Sequence, residues 1–456
     1  MNKELTNKDF LNLVDKYFDS FKESLKELVK IPSVLDEYRP NTDIPFGKGN
    51  KDALEYMLSL GKKDGFKTHN QDNYAGHIEF GEGSEALGLL AHLDVVPVTG
   101  QAWDNDPFTV VEKDGKLIGR GVNDDKGPLL ASYYAIKMLK DLGFKPKMSI
   151  KLIMGCDEET GSRCLEHYFK YNPLPEIGFS PDACFPCING EKAHQCVDII
   201  GKNDSNILIS LKSGERYNIV PESAYMELTH DYSKEYLEFL KENNYNGEVK
   251  DGKYYAYGVA AHAMCPEKGL NASFILFEFL NKYTDVAIAK YMSKYLTFDP
   301  FGAKLSLDKT YPEMGKLTLN VGVVSIDKDS IKIGCDLRIP ADEMEEDIKK
   351  SFEASTKEFS LDCKMSSFTK VHYVSSDSKL VKTLVSSYQE FSGDYKNQAY
   401  CIGGGTYAKL MKGAVAFGPQ FVGGADVDHQ ANEYIYESDY KLVLAIYAKA
   451  IYDLTK

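Results

Sequence analysis

Residues 127–155, GPLLASYYAIKMLKDLGFKPKMSIKLIMG, place a helix pattern directly before a strand pattern, and that order decides the fold. Pro128 falls in what would be the first helical turn, where a missing N–H costs nothing, and Gly143 falls just past the last turn. MSIKLIMG, 148–155, then reads as a strand. Upstream, EALGLLAHLDVV, 85–96, reads as a short buried strand. Strand, long loop, helix and strand in that order predict an α/β sheet with some parallel strands.

Outward from this unit, FDSFKESLKELVKI, 18–31, spaces Phe21, Leu25, Leu28 and Val29 for one helix face, with Pro32 as its stop. YKLVLAIYAKAIYDL, 440–454, predicts a closing amphipathic helix. Between about 190 and 376 the texture changes. Separated strand patterns (SNILISLKS, AYMELTH, KLTLNVGVVSID, IKIGCDLRIP) alternate with the helical SKEYLEFLKEN and NASFILFEFLNKYTD, which suits an α+β insertion with antiparallel strands. The expected organisation is a discontinuous α/β domain of mixed sheet flanked by helices, residues 1–188 and 375–456, interrupted by an α+β domain at 189–374.

The chain has 456 residues and a formal net charge of -14, which disfavours nucleic acid or an anionic membrane as main partner. Its first residues, MNKELTNKDFLNL, mix acids and bases without an apolar run, and no stretch matches a membrane span; a cytoplasmic protein is expected. Nine scattered cysteines do not form a disulfide framework. Cys184 and Cys187 have the spacing of half a zinc ribbon, but no second pair completes it, so packing is the expected role.

In an open α/β sheet, ligands sit beyond the carboxyl ends of the strands. There the sequence places His92 and Asp94 (AHLDVVP), then Asp157, Glu158 and Glu159 (GCDEETGS). GRGVNDDKGP adds Asp124 and Asp125 ahead of the helix, FSPDA adds Asp182, and VDHQANEY adds His429. Three adjacent carboxylates at a strand end repel one another unless a cation offsets them. Imidazoles and carboxylates gathered at strand ends are the ligand set of zinc and related divalent ions, and this chain holds enough acids for two ions with one acid shared.

These motifs, HLDVVPVTGQAWDNDPF, GRGVNDDKGP, GCDEETGS, PDACFPCINGEK, AAHAMCPEKGLNA, IGGGTYAKLM and DHQANEY, resemble in the same order those of the dinuclear zinc metallopeptidases of the aminoacylase and carboxypeptidase type (metallopeptidase family 20, clan MH). The resemblance is nearest the peptidase V branch, the Xaa-His dipeptidases, and runs from LKELVKIPSV to the C-terminus. It implies a metal-dependent dipeptidase acting on short peptides with a free C-terminal carboxylate. It implies two divalent ions, zinc first with manganese or cobalt as alternatives: His92, Asp124 and Asp182 hold one, and Asp124, Glu159 and His429 hold the other. Asp94 is implied to accept the His92 imidazole N–H on its carboxylate and so fix the tautomer. Glu158 is implied to be the general base toward a water bridging the ions.

The resemblance also makes 189–374 a lid. His262 is implied to stabilise the oxyanion, and Arg338 and Asn218 to hold the substrate carboxylate and neighbouring oxygens. Gly404 and Thr406 of the glycine run become substrate contacts. A lid of this length implies a monomer hinged near 187–192 and 374–378. Asp125 is expected to cap the helix or pair with Lys126, and Asp157 to support its turn. The loop VGGADVD before His429, Lys409 and Ala193 depart from the family pattern. The same chemistry would serve an N-acyl amino acid deacylase or desuccinylase, and a catalytically silent metal-binding or peptide-binding module is the reading from another class.

Overall fold

The computed structural model describes residues 4–456. The chain divides into two compact units: one comprises the chain up to Asn189, Tyr373–Tyr400 and Gly405–Lys456, and the other comprises Gly190–His372 and Cys401–Gly404. The short Cys401–Gly404 stretch thus leaves the α/β unit to which its position in the sequence would assign it.

The first unit is built on a mixed sheet. Its order runs Lys67–Gln71, Ala75–Phe80, Ser149–Gly155, Ala86–His92, Ile177–Ser180, Ala414–Ala416 and Ile188–Glu191. Ala86–His92 pairs in parallel with Ser149–Gly155 on one side and Ile177–Ser180 on the other. Ala414–Ala416 is also parallel to Ile177–Ser180, whereas the Lys67 and Ala75 strands run antiparallel at one edge. Every residue of Ala86–His92 is buried, as continuous apolar runs in parallel sheets require.

Helix Lys126–Asp141 connects the two central strands, and Leu142 and Gly143, the latter at φ +76°, end it. It packs with Asn7–Val29 and Glu437–Thr455. The first of these helices begins earlier than its apolar stripe suggests, at a capping box in which Thr6 and Asp9 satisfy each other's main-chain N–H. Phe21, Leu25, Leu28 and Val29 are its buried face. At Gly127 a Cβ would lie 1.6 Å from the Tyr440 hydroxyl, so only glycine lets the helix start approach Glu437–Thr455 this closely.

The second unit has its own apolar core and an antiparallel sheet. The sheet order is Asn246–Lys250, Lys253–Tyr257, Ser223–Leu228, Leu208–Ser213, Thr318–Ile326, Ile331–Ile339, Ala193–Gly201 and Asp362–Met365. Helices Ser233–Asn243, Ala272–Tyr283, Ala287–Tyr295 and Met344–Glu358 complete it. The elements expected from sequence coincide with Leu208–Ser213, Ser223–Leu228, Thr318–Ile326, Ile331–Ile339 and the first two helices. The hairpin at 246–257 and the last two helices are additional. Among the described residues no helix is long and apolar enough to cross a membrane, and all nine cysteines are free.

Candidate metal centre

The parallel register sets His92 beside Gly155, so the imidazole and the acids that follow Gly155 emerge at the same sheet edge. Asp182 follows the neighbouring parallel strand Ile177–Ser180. Asp124 lies in the loop before helix Lys126–Asp141, joined to Asp125 by a cis peptide bond. His429 comes from the loop that precedes the closing helix.

These side chains converge. His92 Nε2 lies 3.0 Å from Asp124 Oδ1 and 3.6 Å from Asp182 Oδ2. His429 Nε2 lies 2.9 Å from Asp124 Oδ2 and 3.2 Å from Glu159 Oε2. Asp124 therefore turns one oxygen to each imidazole. Donor atoms of His92, Glu158 and Asp182 lie within 4.8 Å of one another, as do those of His92, Asp124 and Glu159.

Three of the buried atoms here, His92 Nε2, Asp124 Oδ1 and Glu159 Oε1, have no hydrogen-bond partner despite their proximity. A buried polar atom without a partner is costly, and three aimed into one cluster fit a shared cation better than mutual hydrogen bonds. The oxygen and imidazole donors suit a zinc-type or related divalent ion.

The titration behaviour follows from the same crowding. Burial, then Asp182, raises Glu158 well above the ordinary carboxylate range. Burial, then Asp124, raises Glu159 to about 7 and Asp182 above its usual value. Burial acts against ionisation of Asp124 too, but His429 and His92 outweigh it and pull that carboxyl down. Asp124 and Glu159 raise His429 to about 11. Burial opposes the charging of His92, yet Asp124, Asp182 and Asp94 raise it well above 6.5.

Two expected details differ. The His92 ring is oriented through Nδ1, which lies 2.9 Å from the main-chain oxygen of Asp94, while the Asp94 carboxylate stands farther off at 3.5 Å. That carboxylate instead accepts the main-chain N–H groups of Glu158 and Glu159 at 3.0 Å each, fixing the turn that presents both acids. Asp125 neither caps the helix through its side chain nor pairs with Lys126. It accepts the His92 main-chain N–H at 2.9 Å, and the Lys126 ammonium reaches the carbonyls of Leu28 and Ile31. Asp157 does support its turn: both oxygens take the Arg163 guanidinium at 2.7 Å, and Thr160 also donates to it.

The remaining candidates, Thr406 excepted, lie in the second unit. Ile219 and His262 form an antiparallel bridge, and the Ala263 N–H donates to the Asn218 carbonyl, so both exposed residues occupy adjoining segments. Thr318 Oγ1 donates to the Ala263 carbonyl, and Thr318 is the cross-strand partner of Arg338. Arg338 is held on one side by Asp336, whose two oxygens take Nε at 2.7 Å and Nη2 at 2.9 Å, and Nη1 donates to the Gly403 carbonyl. The tight glycine is Gly403, where a Cβ would meet Met264 at 2.7 Å; at Gly404 the nearest atom would be Ile402 Cδ1 at 3.1 Å. Thr406, in the first unit, caps the Tyr407–Leu410 turn by accepting from Ala408 N.

Glu433 and Asp336 carry no assignment in the sequence reading. Glu433 is fully buried and gathers the loop that presents Asp124. It stands inside DHQANEY, four residues after His429, and that place in a quoted motif is the one signal the sequence offers for it.

The profile described as Peptidase family M20/M25/M40 matches residues 88–453. A protein of Staphylococcus epidermidis named "Putative dipeptidase" is 38% identical over 460 residues, spanning 96% of this chain and 98% of its own. A Bacillus subtilis protein of similar name is 39% identical over 451 residues, spanning 94% and 96%. Among solved structures, human carnosine dipeptidase 1 superposes with a TM-score of 0.60 at 16% identity, covering 99% of each chain. The aminoacylhistidine dipeptidase of Vibrio alginolyticus gives 0.58 at 14% identity, covering 96% of each. At these identities the structures speak to the fold alone, which they share over its length.

Proposed function

The chain belongs to peptidase family M20/M25/M40, and from that premise we propose that it is a two-metal dipeptidase, of the peptidase V kind, cleaving short peptides with a free C-terminal carboxylate. The observation that carries this reading is the trio of unpartnered buried atoms on His92, Asp124 and Glu159, with the Glu158 carboxyl beside them and no ligand role needed for it. The names of the relatives support the substrate class.

His92, Asp124 and Asp182 would hold one ion, and Asp124, Glu159 and His429 the other. Zinc is the first choice of metal, with manganese and cobalt the alternatives. Bound there, the ions would supply Lewis acidity toward the scissile carbonyl and an acidified water. Glu158 takes the proton of the attacking water and returns it to the leaving amine. Asp94 keeps Glu158 and Glu159 at fixed positions by binding their N–H groups. In the second unit, Arg338 and Asn218 are assigned to the substrate's carboxylate end and His262 to the oxyanion, and the chain is assigned a monomeric state.

Glu158→Ala tests this reading. Dipeptide hydrolysis should fall by roughly 10²–10⁴ in kcat, the range of a lost general base, while two ions remain bound. Unchanged turnover would refute the mechanism. After chelation and readdition of each metal, a free dipeptide should outperform its N-acetylated form; preference for the blocked compound would point to a deacylase.

A further inference from the structure

The loop that presents Asp124 has no regular structure, yet three of its main-chain N–H groups converge on one carboxylate. Glu433 accepts from Asn123 N at 2.7 Å, from Asp124 N at 3.1 Å, and from Gly121 N at 3.1 Å. The carboxylate is completely buried and would be costly there alone. Arg120, 1% exposed, offsets it through Nη1 at 2.7 Å. The pair adds shape at the edge of an already acidic cluster without adding net charge.

The same guanidinium carries the network onward. Arg120 Nη2 donates to Gln101 Oε1 at 2.8 Å, and Gln101 Nε2 donates to the main-chain carbonyl of His429 at 2.8 Å. His429 is a residue that must be held. Its φ is +62°, a left-handed conformation that residues other than glycine rarely adopt, and its side chain is 54% exposed. Three separate chain segments, each presenting or bracing a proposed ligand, thus meet in one hydrogen-bonded chain.

We infer that Glu433, Arg120 and Gln101 are positioning residues for the metal centre: Glu433 sets the orientation of Asp124 between its two imidazoles, and Gln101 sets His429. This rests on the two-metal reading above. Its consequence is an ordered pair of defects, because Asp124 faces both ions while His429 faces one.

The test is metal affinity, read without turnover. Metal-free wild type, Gln101→Ala and Glu433→Gln are titrated with Zn2+ alone and with Mn2+ alone against a chromophoric chelator, and the thermal unfolding of each metal-free protein is recorded. Gln101→Ala, which alters a half-buried side chain, should weaken one ion by roughly 10–100-fold and leave the other near wild type, with unfolding of the metal-free protein little changed. Glu433→Gln should weaken both, since the amide keeps one accepting oxygen and must turn its NH2 toward either the loop N–H groups or the Arg120 guanidinium. If wild type binds two ions and Gln101→Ala binds both within about twofold of it, the positioning role is overturned while the two-metal reading stands. If wild type binds no divalent ion, the reading beneath it fails instead.

Discussion

Two clusters in this molecule combine histidine with buried carboxylates, and they end in opposite states. In the first unit, His92, Asp124 and Glu159 leave three polar atoms unpartnered, and Glu159 is raised by burial and by Asp124 to about 7. In the second, His194, Cys196 and Asp336 also bring three donor atoms within 4.8 Å. There, however, Arg338 occupies both Asp336 oxygens, and His194 Nε2 lies 3.1 Å from one of them. Burial presses Asp336 toward neutrality, but His194 and Arg338 overcome it and hold the carboxyl below its ordinary range. The first cluster offers two acids, the second one acid and a thiol. What sets the second cluster apart is a guanidinium that already takes both oxygens of its single acid.

The largest expected effect comes from protons that compete for the first cluster. With the folded pKa of Glu159 raised by burial and Asp124 to about 7, that carboxyl is largely protonated at pH 6 and must ionise to hold a cation. Affinity should therefore rise from pH 6 to pH 8 and go on rising above it, because His429, raised to about 11, must also lose its proton to hold a cation. Glu159 alone contributes about tenfold over that range. Asp336, whose pKa is lowered, stays ionised throughout and adds no such slope. Titrations with Zn2+ at fixed ionic strength measure this directly; an affinity independent of pH would erase the contrast between the clusters.

A smaller effect is expected from the second cluster. Asp336 engages one edge of the Arg338 guanidinium, and Gly403 takes one further N–H, so the remaining N–H groups of the terminal nitrogens form a fork for a carboxylate. Arg338→Lys keeps the charge and removes the fork. KM for a dipeptide should rise by roughly tenfold, the worth of one charge-assisted hydrogen bond, with kcat and bound metal nearly unchanged. A fall in metal content would tie Arg338 to the wrong cluster.

The two clusters were not equally readable. The parallel unit and the acids at its strand ends follow from local pattern, because a strand end is a place that sequence marks: His92, Glu159 and Asp182 each trail an apolar run. Asp336 and His194 are set by register instead. His194 faces Arg338 and Cys196 faces Asp336 only because Ala193–Gly201 pairs with Ile331–Ile339 across more than a hundred residues. Nothing local announces that pairing. Asp94 shows the same limit at shorter range, since the sequence supplies a carboxylate beside a histidine but not the N–H groups of Glu158 and Glu159 that claim it. The hairpin at 246–257 was not expected, although Asp251-Gly252, at φ +50° and +75°, is a two-residue turn signal that could have marked it.

The smallest effect discriminates most sharply, because the two accounts of the second cluster differ in kind. If His194, Cys196 and Asp336 hold no ion, His194→Gln removes one contact to a carboxylate that keeps both bonds from Arg338. The fork is then slightly freer, and KM should rise by only about 2–5-fold, in line with one neutral hydrogen bond. Bound metal should stay at two ions per chain. If the cluster were a third metal site, wild type would carry an additional ion that the variant loses, and Arg338 would have to release Asp336 to admit it. Counting ions by elemental analysis in wild type and variant decides between them. A cation beside a guanidinium that already satisfies both oxygens would gain little attraction and meet direct repulsion, which is why the count is expected not to change.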